Sequence, residues 1–127
     1  MSGILGVEEY EQPAFYQLVA GKTFEVKKIT IASGAGKLTR GTVLGMNTST
    51  YKYKQLDPSA SDGTEVARAI LAEDVDASST DVKTTAYFIG KYRLADLIWP
   101  GSITDAQKKT ALLQLQDRGI IIDEDWA

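Results

Sequence analysis

Three stretches of the chain carry side chains whose types and spacing could do chemistry. Ser33-Gly34-Ala35-Gly36-Lys37-Leu38 has the glycines and the lysine of a phosphate-cradling loop. Such a loop also needs a glycine five positions before its Gly-Lys pair and a Ser or Thr after it. Ile31 and Leu38 stand there instead, so the segment reads as a glycine turn between strands. Glu73, Asp74, Asp76 and Asp81 could offer oxygens to a hard cation such as calcium, but their spacing lacks the central glycine and terminal glutamate of an EF-hand, which leaves a solvated acidic loop. Tyr51-Lys52-Tyr53-Lys54 interleaves rings and cations, yet on a strand the tyrosines point to one face and the lysines to the other, so one surface cannot engage bases and phosphates together. The chain has no histidine and no cysteine. That removes the commonest general base at neutral pH, thiolate catalysis, disulfides and zinc-cysteine sites, and leaves the many Ser and Thr hydroxyls without the usual base of a nucleophilic triad. No catalytic residue, metal site or cofactor is expected, and the chain reads as a non-enzyme.

The elements that would position any site begin with size. At 127 residues the chain fits one domain, which buries roughly two-thirds of the surface its unfolded form would expose. Its 14 basic and 17 acidic residues sum to a net charge of −3, too weak a field to draw in nucleic acid or an anionic membrane. No basic, apolar N-terminal leader is visible, and no run of apolar residues reaches the length of a membrane span. Asn47-Thr48-Ser49 matches a glycosylation acceptor and reads as a polar turn.

Residues 1–21 show neither a two-residue nor a 3.6-residue period, but they hold Ile4, Leu5, Val7, Tyr10, Phe15 and Tyr16. A segment so apolar is more than a tail; it either packs on its own domain or waits for a partner. Residues 22–127 form the expected β-rich domain. Thr23 to Ile31 reads as a strand in which Phe24 and Val26 lie out of phase with Ile29 and Ile31, so a bulge is expected at Lys27-Lys28. Leu38–Met46, Tyr51–Leu56, Thr64–Ala72 and Val82–Arg93 are the further strands, with a polar loop over Glu73–Asp81. Leu97, Trp99 and Pro100 form a corner on which flanking apolar residues, Phe88, Ile89, Leu112, Leu113 and Ile120 to Ile122, are expected to converge. A helix over about 104–118 carries its own punctuation: Thr104 and Gln107 as a capping box, Asp105 in the first turn and Gly119 as the stop. Ile120-Ile121-Ile122 follows as a short returning strand. The expected fold is mainly β, a small β-barrel or β-clip-like domain of short strands and glycine turns with one short α-helix and an extended N-terminal arm.

The order of these features resembles a known family. Asp62-Gly63, Ala69-Ile70-Leu71-Ala72, the polar acidic loop, Gly90-Lys91-Tyr92-Arg93, Asp96-Leu97-Ile98-Trp99-Pro100 and Lys108-Lys109-Thr110-Ala111 are similar to the lambda-type head decoration proteins of tailed bacteriophages. The likeness runs from Asp62 onward; the first half matches in kind only, and Leu115–Ala127 is longer than in the lambda-type member. The resemblance implies a structural protein made in the host cytoplasm and carried on the outer surface of the virion. There it would bind the major capsid protein as a homotrimer at local threefold sites of the expanded head, bracing it against internal DNA pressure. It also implies that Ile4, Leu5, Val7, Tyr10, Phe15 and Tyr16 carry capsid binding by strand addition, although Phe15 and Tyr16 could equally pack on their own domain. Trp99, Pro100 and Leu97 would anchor the core or the trimer. The competing reading is a small β-barrel module that takes a carbohydrate or peptide on Tyr51, Tyr53, Tyr87 or Tyr92.

Overall fold

The computed structural model describes residues 25–123. Nine strands are formed among them: β1 Val26–Ile31, β2 Gly36–Leu38, β3 Val43–Met46, β4 Tyr53–Gln55, β5 Ala67–Leu71, β6 Val75–Ala77, β7 Val82–Tyr87, β8 Gly90–Arg93 and β9 Ile120–Asp123. One α-helix, α1 Asp105–Asp117, precedes β9. Five strands close a barrel in the order β1-β4-β3-β5-β7, while β2 pairs with β6 and β8 with β9 in separate two-stranded sheets. The mainly β reading with one short α-helix is what the described residues show. Every barrel pairing is antiparallel except the one that closes it, where β1 meets β4 in parallel through Ile31 opposite Tyr53.

Two apolar cores share the barrel wall. Ile29, Ile31, Leu44, Ala69, Leu71 and Ala86 fill an inner core, and Val43, Ala67, Ile70, Leu97, Leu115 and Ile120 an outer one. Alternation explains how β3 serves both, since Leu44 points one way and Val43 the other, each fully buried. On β5 alternation alone would fail. Leu44 lies opposite Ala69 but Gly45 lies opposite Ala67, so Arg68 is an extra residue that shifts the phase. That bulge sends Ala67 and Ile70 outward while Ala69 and Leu71 stay inside. The Ala67 N–H donates to Gln114 Oε1 on α1 at 2.9 Å, tying helix to barrel. Gly45 is required beside it, because a Cβ there would stand 2.3 Å from the Thr64 carbonyl oxygen.

Several expected boundaries are corrected. No bulge breaks β1 at Lys27-Lys28, for its ladder with β7 runs unbroken from Val26 opposite Tyr87 to Ile31 opposite Val82. Val26 does not share the inward face and is 45% exposed, which is why no extra residue is needed. Phe24 lies outside the described residues. The strand expected over Leu38–Met46 is two strands, split at a turn through Gly41, and the long strand expected over Val82–Arg93 is broken before Gly90, whose φ is +140°. The polar loop over Glu73–Asp81 contains β6, which pairs with β2 through Lys37 opposite Asp76. The helix has the expected capping box: the Gln107 N–H donates to Thr104 Oγ1 at 3.1 Å and the Thr104 N–H to Gln107 Oε1 at 2.9 Å.

Candidate functional site

The corner is held to the barrel by backbone. Ile98 forms a parallel bridge with Thr42, its N–H donating to the Gly41 carbonyl at 2.8 Å and its carbonyl accepting from the Val43 N–H at 3.1 Å. Gly41 has to be glycine on two counts: its φ is +100°, and a Cβ would lie 2.3 Å from the Asp96 carbonyl oxygen. Leu97 is buried in the outer core; Trp99 and Pro100 are half-buried, with Trp99 packed against that core and Lys108 Nζ 6.0 Å from its ring centre. Not all the flanking residues converge there. Leu112, Ile120 and Ile122 do, but Phe88 packs on the inner core and Ile89, Leu113 and Ile121 face solvent.

Leu113 and Ile121 belong to an apolar groove on the surface. Leu112, Leu113, Lys109 and Gln116 of α1 and Ile121 and Ile122 of β9 line an open groove of about 370 Å³. Leu113 is 62% exposed, more than any other described large hydrophobic residue except Tyr51. Sequence spacing could have shown this. Ala111 and Leu115, four apart, form the buried stripe, and Leu113 sits two residues from each, about 200° around the helix. Ile89 continues the apolar surface at the other end, its side chain 3.8 Å from where a Gly119 Cβ would be.

The four tyrosines do not line one pocket: Tyr51 and Tyr53 border one open depression and Tyr87 and Tyr92 another. Tyr53 and Tyr92 are buried; burial raises the pKa of both phenols, and the Tyr92 hydroxyl donates to the Ile89 carbonyl at 3.0 Å. Tyr87 is half-buried, accepts from Arg40 Nη2 at 3.0 Å, and with Tyr92 borders a recess of only about 50 Å³. Tyr51 is 71% exposed at a left-handed φ of +61°.

Against this geometry, the family described as Bacteriophage lambda head decoration protein D matches residues 9–120. The chain belongs to that family. No curated protein matches it. Head decoration is a structural role in a phage capsid, and membership sets this chain in that role. The match reaches back from the barrel into the arm, taking in Tyr10, Phe15 and Tyr16 but not Ile4, Leu5 or Val7. All six arm residues lie outside the described residues.

The acidic side chains singled out for cation binding have local partners in this decoration-family domain. Asp74 Oδ1 accepts from the Arg40 N–H at 2.8 Å and Glu73 Oε1 from the buried Thr84 hydroxyl at 2.9 Å. The Ser78 hydroxyl and N–H hold the Asp76 carboxyl below its ordinary pKa. The Lys52 ammonium, 2.6 Å from Asp81 Oδ2, and the Ser33 N–H, 2.8 Å from Oδ1, do the same for Asp81. Asp81 thereby joins the starts of β7 and β4 to the end of β1, across the barrel's closure. The Ser33–Lys37 segment is a turn, with Gly34 at φ +92° and Gly36 at φ +84°. Asn47 Oδ1 accepts from the Ser49 and Thr50 N–H groups at 2.8 and 3.1 Å, the polar turn expected there.

Proposed function

We propose that the protein is a cement on the outside of the phage head. It binds the major capsid protein as a homotrimer at local threefold sites of the expanded shell and stiffens that shell against the packaged DNA. Residues 22–127 serve as the decoration domain and residues 1–21 as the arm, with Ile4, Leu5, Val7, Tyr10, Phe15 and Tyr16 as its capsid contacts. The family match over residues 9–120 carries the reading, because it spans part of the arm and nearly all of the domain. Buried Leu97 anchors the fold in this reading, and Trp99 and Pro100, which are half-buried, meet a neighbouring subunit. Strand addition gains backbone hydrogen bonds and side-chain pockets together, and three arms per trimer multiply modest contacts through effective concentration. Among the described residues no one pocket gathers the four tyrosines of the carbohydrate or peptide reading, since Tyr51 and Tyr53 border one depression and Tyr87 and Tyr92 another.

Purified protein mixed with expanded and with unexpanded empty heads should bind saturably at threefold positions on the expanded heads alone. Deleting residues 1–12 should leave a folded protein, by circular dichroism, that no longer binds expanded heads. Undiminished binding after that deletion would refute the role of the arm.

A further inference from the structure

We propose that the cleft beside the barrel's closure is a docking site for an acidic segment of a partner protein, one that sets carboxylates around an apolar side chain. β1 and β4 meet at a single rung, Ile31 opposite Tyr53, and beside it an open cleft of about 530 Å³ lies between β1 and the β3-β4 hairpin. Lys27, Lys28 and Lys83 line that cleft, and no carboxylate does. Lys28 lies opposite Thr85 and Lys83 opposite Thr30, so the two lysines are diagonal neighbours on the outer face of the β1-β7 ladder. Both are exposed, and neither ammonium has an ion pair among the described residues. Lys27 alternates to the other face, where its Nζ lies 4.9 Å from the Phe88 ring centre, again without a carboxylate among the described residues. In a chain of net charge −3, these cations repel one another with nothing in the cleft to offset them. Carboxylates are what they lack.

Tyr51 points to the same use. Its exposed ring is carried at a left-handed φ that glycine or asparagine adopts with less strain. The hairpin closes without that ring, through the Tyr51 N–H donating to the Asn47 carbonyl at 2.8 Å and the Asn47 N–H donating to the Lys52 carbonyl at 2.9 Å. No ring contact of Tyr51 is formed among the described residues. A bulky side chain held under strain and in solvent marks a contact residue rather than a packing one. Ile29, Met46 and the buried Tyr53 give the cleft an apolar floor, which suits one apolar side chain between the carboxylates. Lys52 and Lys54 line a different depression, so the cations beside the two tyrosines come from β1 and β7 instead. A polypeptide fits better than a nucleic acid. Three lysines neutralise few phosphates, and a longer polyanion leaving the cleft meets a chain of net negative charge.

This docking site goes beyond the capsid contacts of the arm and is tested without heads. The isotope-labelled, full-length protein is titrated with an end-capped peptide, Asp-Glu-Leu-Asp-Glu, and with its uncharged counterpart, Asn-Gln-Leu-Asn-Gln, while amide chemical shifts are followed. The acidic peptide should give saturable shifts at Lys27 to Thr30, Tyr51 and Lys83, and the uncharged one none. Raising the salt from about 50 to about 300 mM should weaken binding several-fold. Lys28→Glu combined with Lys83→Glu should lower the affinity at least about tenfold. Both lysines are exposed, so this charge reversal leaves the fold intact. Tyr51→Asn should weaken binding several-fold without lowering the melting temperature, since asparagine suits that φ. Shifts that fail to saturate or that centre on another face, equal binding of the uncharged peptide, or binding unchanged by the charge reversal or by Tyr51→Asn each overturn the proposal. Tighter binding of an oligothymidylate of matching charge gives the cleft to nucleic acid and overturns it too. So does binding that appears only in a Glu8→Gln, Glu9→Gln, Glu11→Gln variant, which gives the cleft to the chain's own acidic stretch.

Discussion

The barrel and the layer outside it are built on opposite economies. The inner core is ringed by five strands, and its large side chains, Ile31, Leu44 and Leu71, are closed off from solvent on every side. The outer core, under α1 and the β8-β9 sheet, buries Leu115 and Ile120 as completely, yet its outer layer leaves Ile89, Ile98, Leu113 and Ile121 facing solvent. A closed ring satisfies its own backbone; among the described residues, the two-stranded sheet beside α1 carries an exposed apolar flank. The difference teaches that the barrel supplies rigidity and the outer layer supplies the surface left to be covered.

The sharpest way to break that contrast is to remove matched side chains from the two cores. Leu71→Ala and Leu115→Ala should each cost ~2–5 kcal/mol, both being fully buried. In urea, Leu71→Ala should shift one cooperative transition, whereas Leu115→Ala should separate the loss of helix signal from the loss of barrel signal. Coincident transitions in both variants would show that the two layers fold as one unit. Gly41→Ala attacks the joint between them and should cost ~2–4 kcal/mol from strain and the clash with the Asp96 carbonyl. Thr104→Ala removes the cap of α1 and should cost ~1 kcal/mol, seen as a lower melting temperature, with the barrel strands' amide protection unchanged. The smallest effect is expected from acid. The Asp81 carboxyl is held below its ordinary pKa by Lys52 and the Ser33 N–H, so the unfolded chain takes up its proton first as pH falls. Its contribution is thus complete above about pH 5 and is lost below about pH 4 as the folded group protonates. Melting curves from pH 6 to 3 should show that loss reduced in Asp81→Asn.

How much of this was legible in the chain depends on whether a signal was local. The helix was, because Thr104, Gln107 and Gly119 each act within one turn of themselves. The pairing partners were not. A bulge was expected at Lys27-Lys28 from the phase of Val26 against Ile29, but Val26 is simply exposed, and the phase shift sits at Arg68, where β5 must serve two cores. β6 escaped notice because Val75-Asp76-Ala77 is too short to show alternation and exists by virtue of β2. The corner at Leu97 was legible from its apolar residues and proline, though not that Leu113 would turn away from it. The order of Asp62-Gly63, Asp96-Leu97-Ile98-Trp99-Pro100 and Lys108-Lys109 pointed to the family before any pairing was known.

One feature of β1 bears on how the molecule would carry load. The chain enters the barrel at the Val26 end of β1, and β1 is riveted to β7 by six consecutive rungs, while the opposite flank touches β4 at only one. Tension arriving from the N-terminus runs lengthwise along β1. The six rungs are then sheared together instead of being unzipped one after another, so the weak flank beside Tyr53 is never asked to yield first.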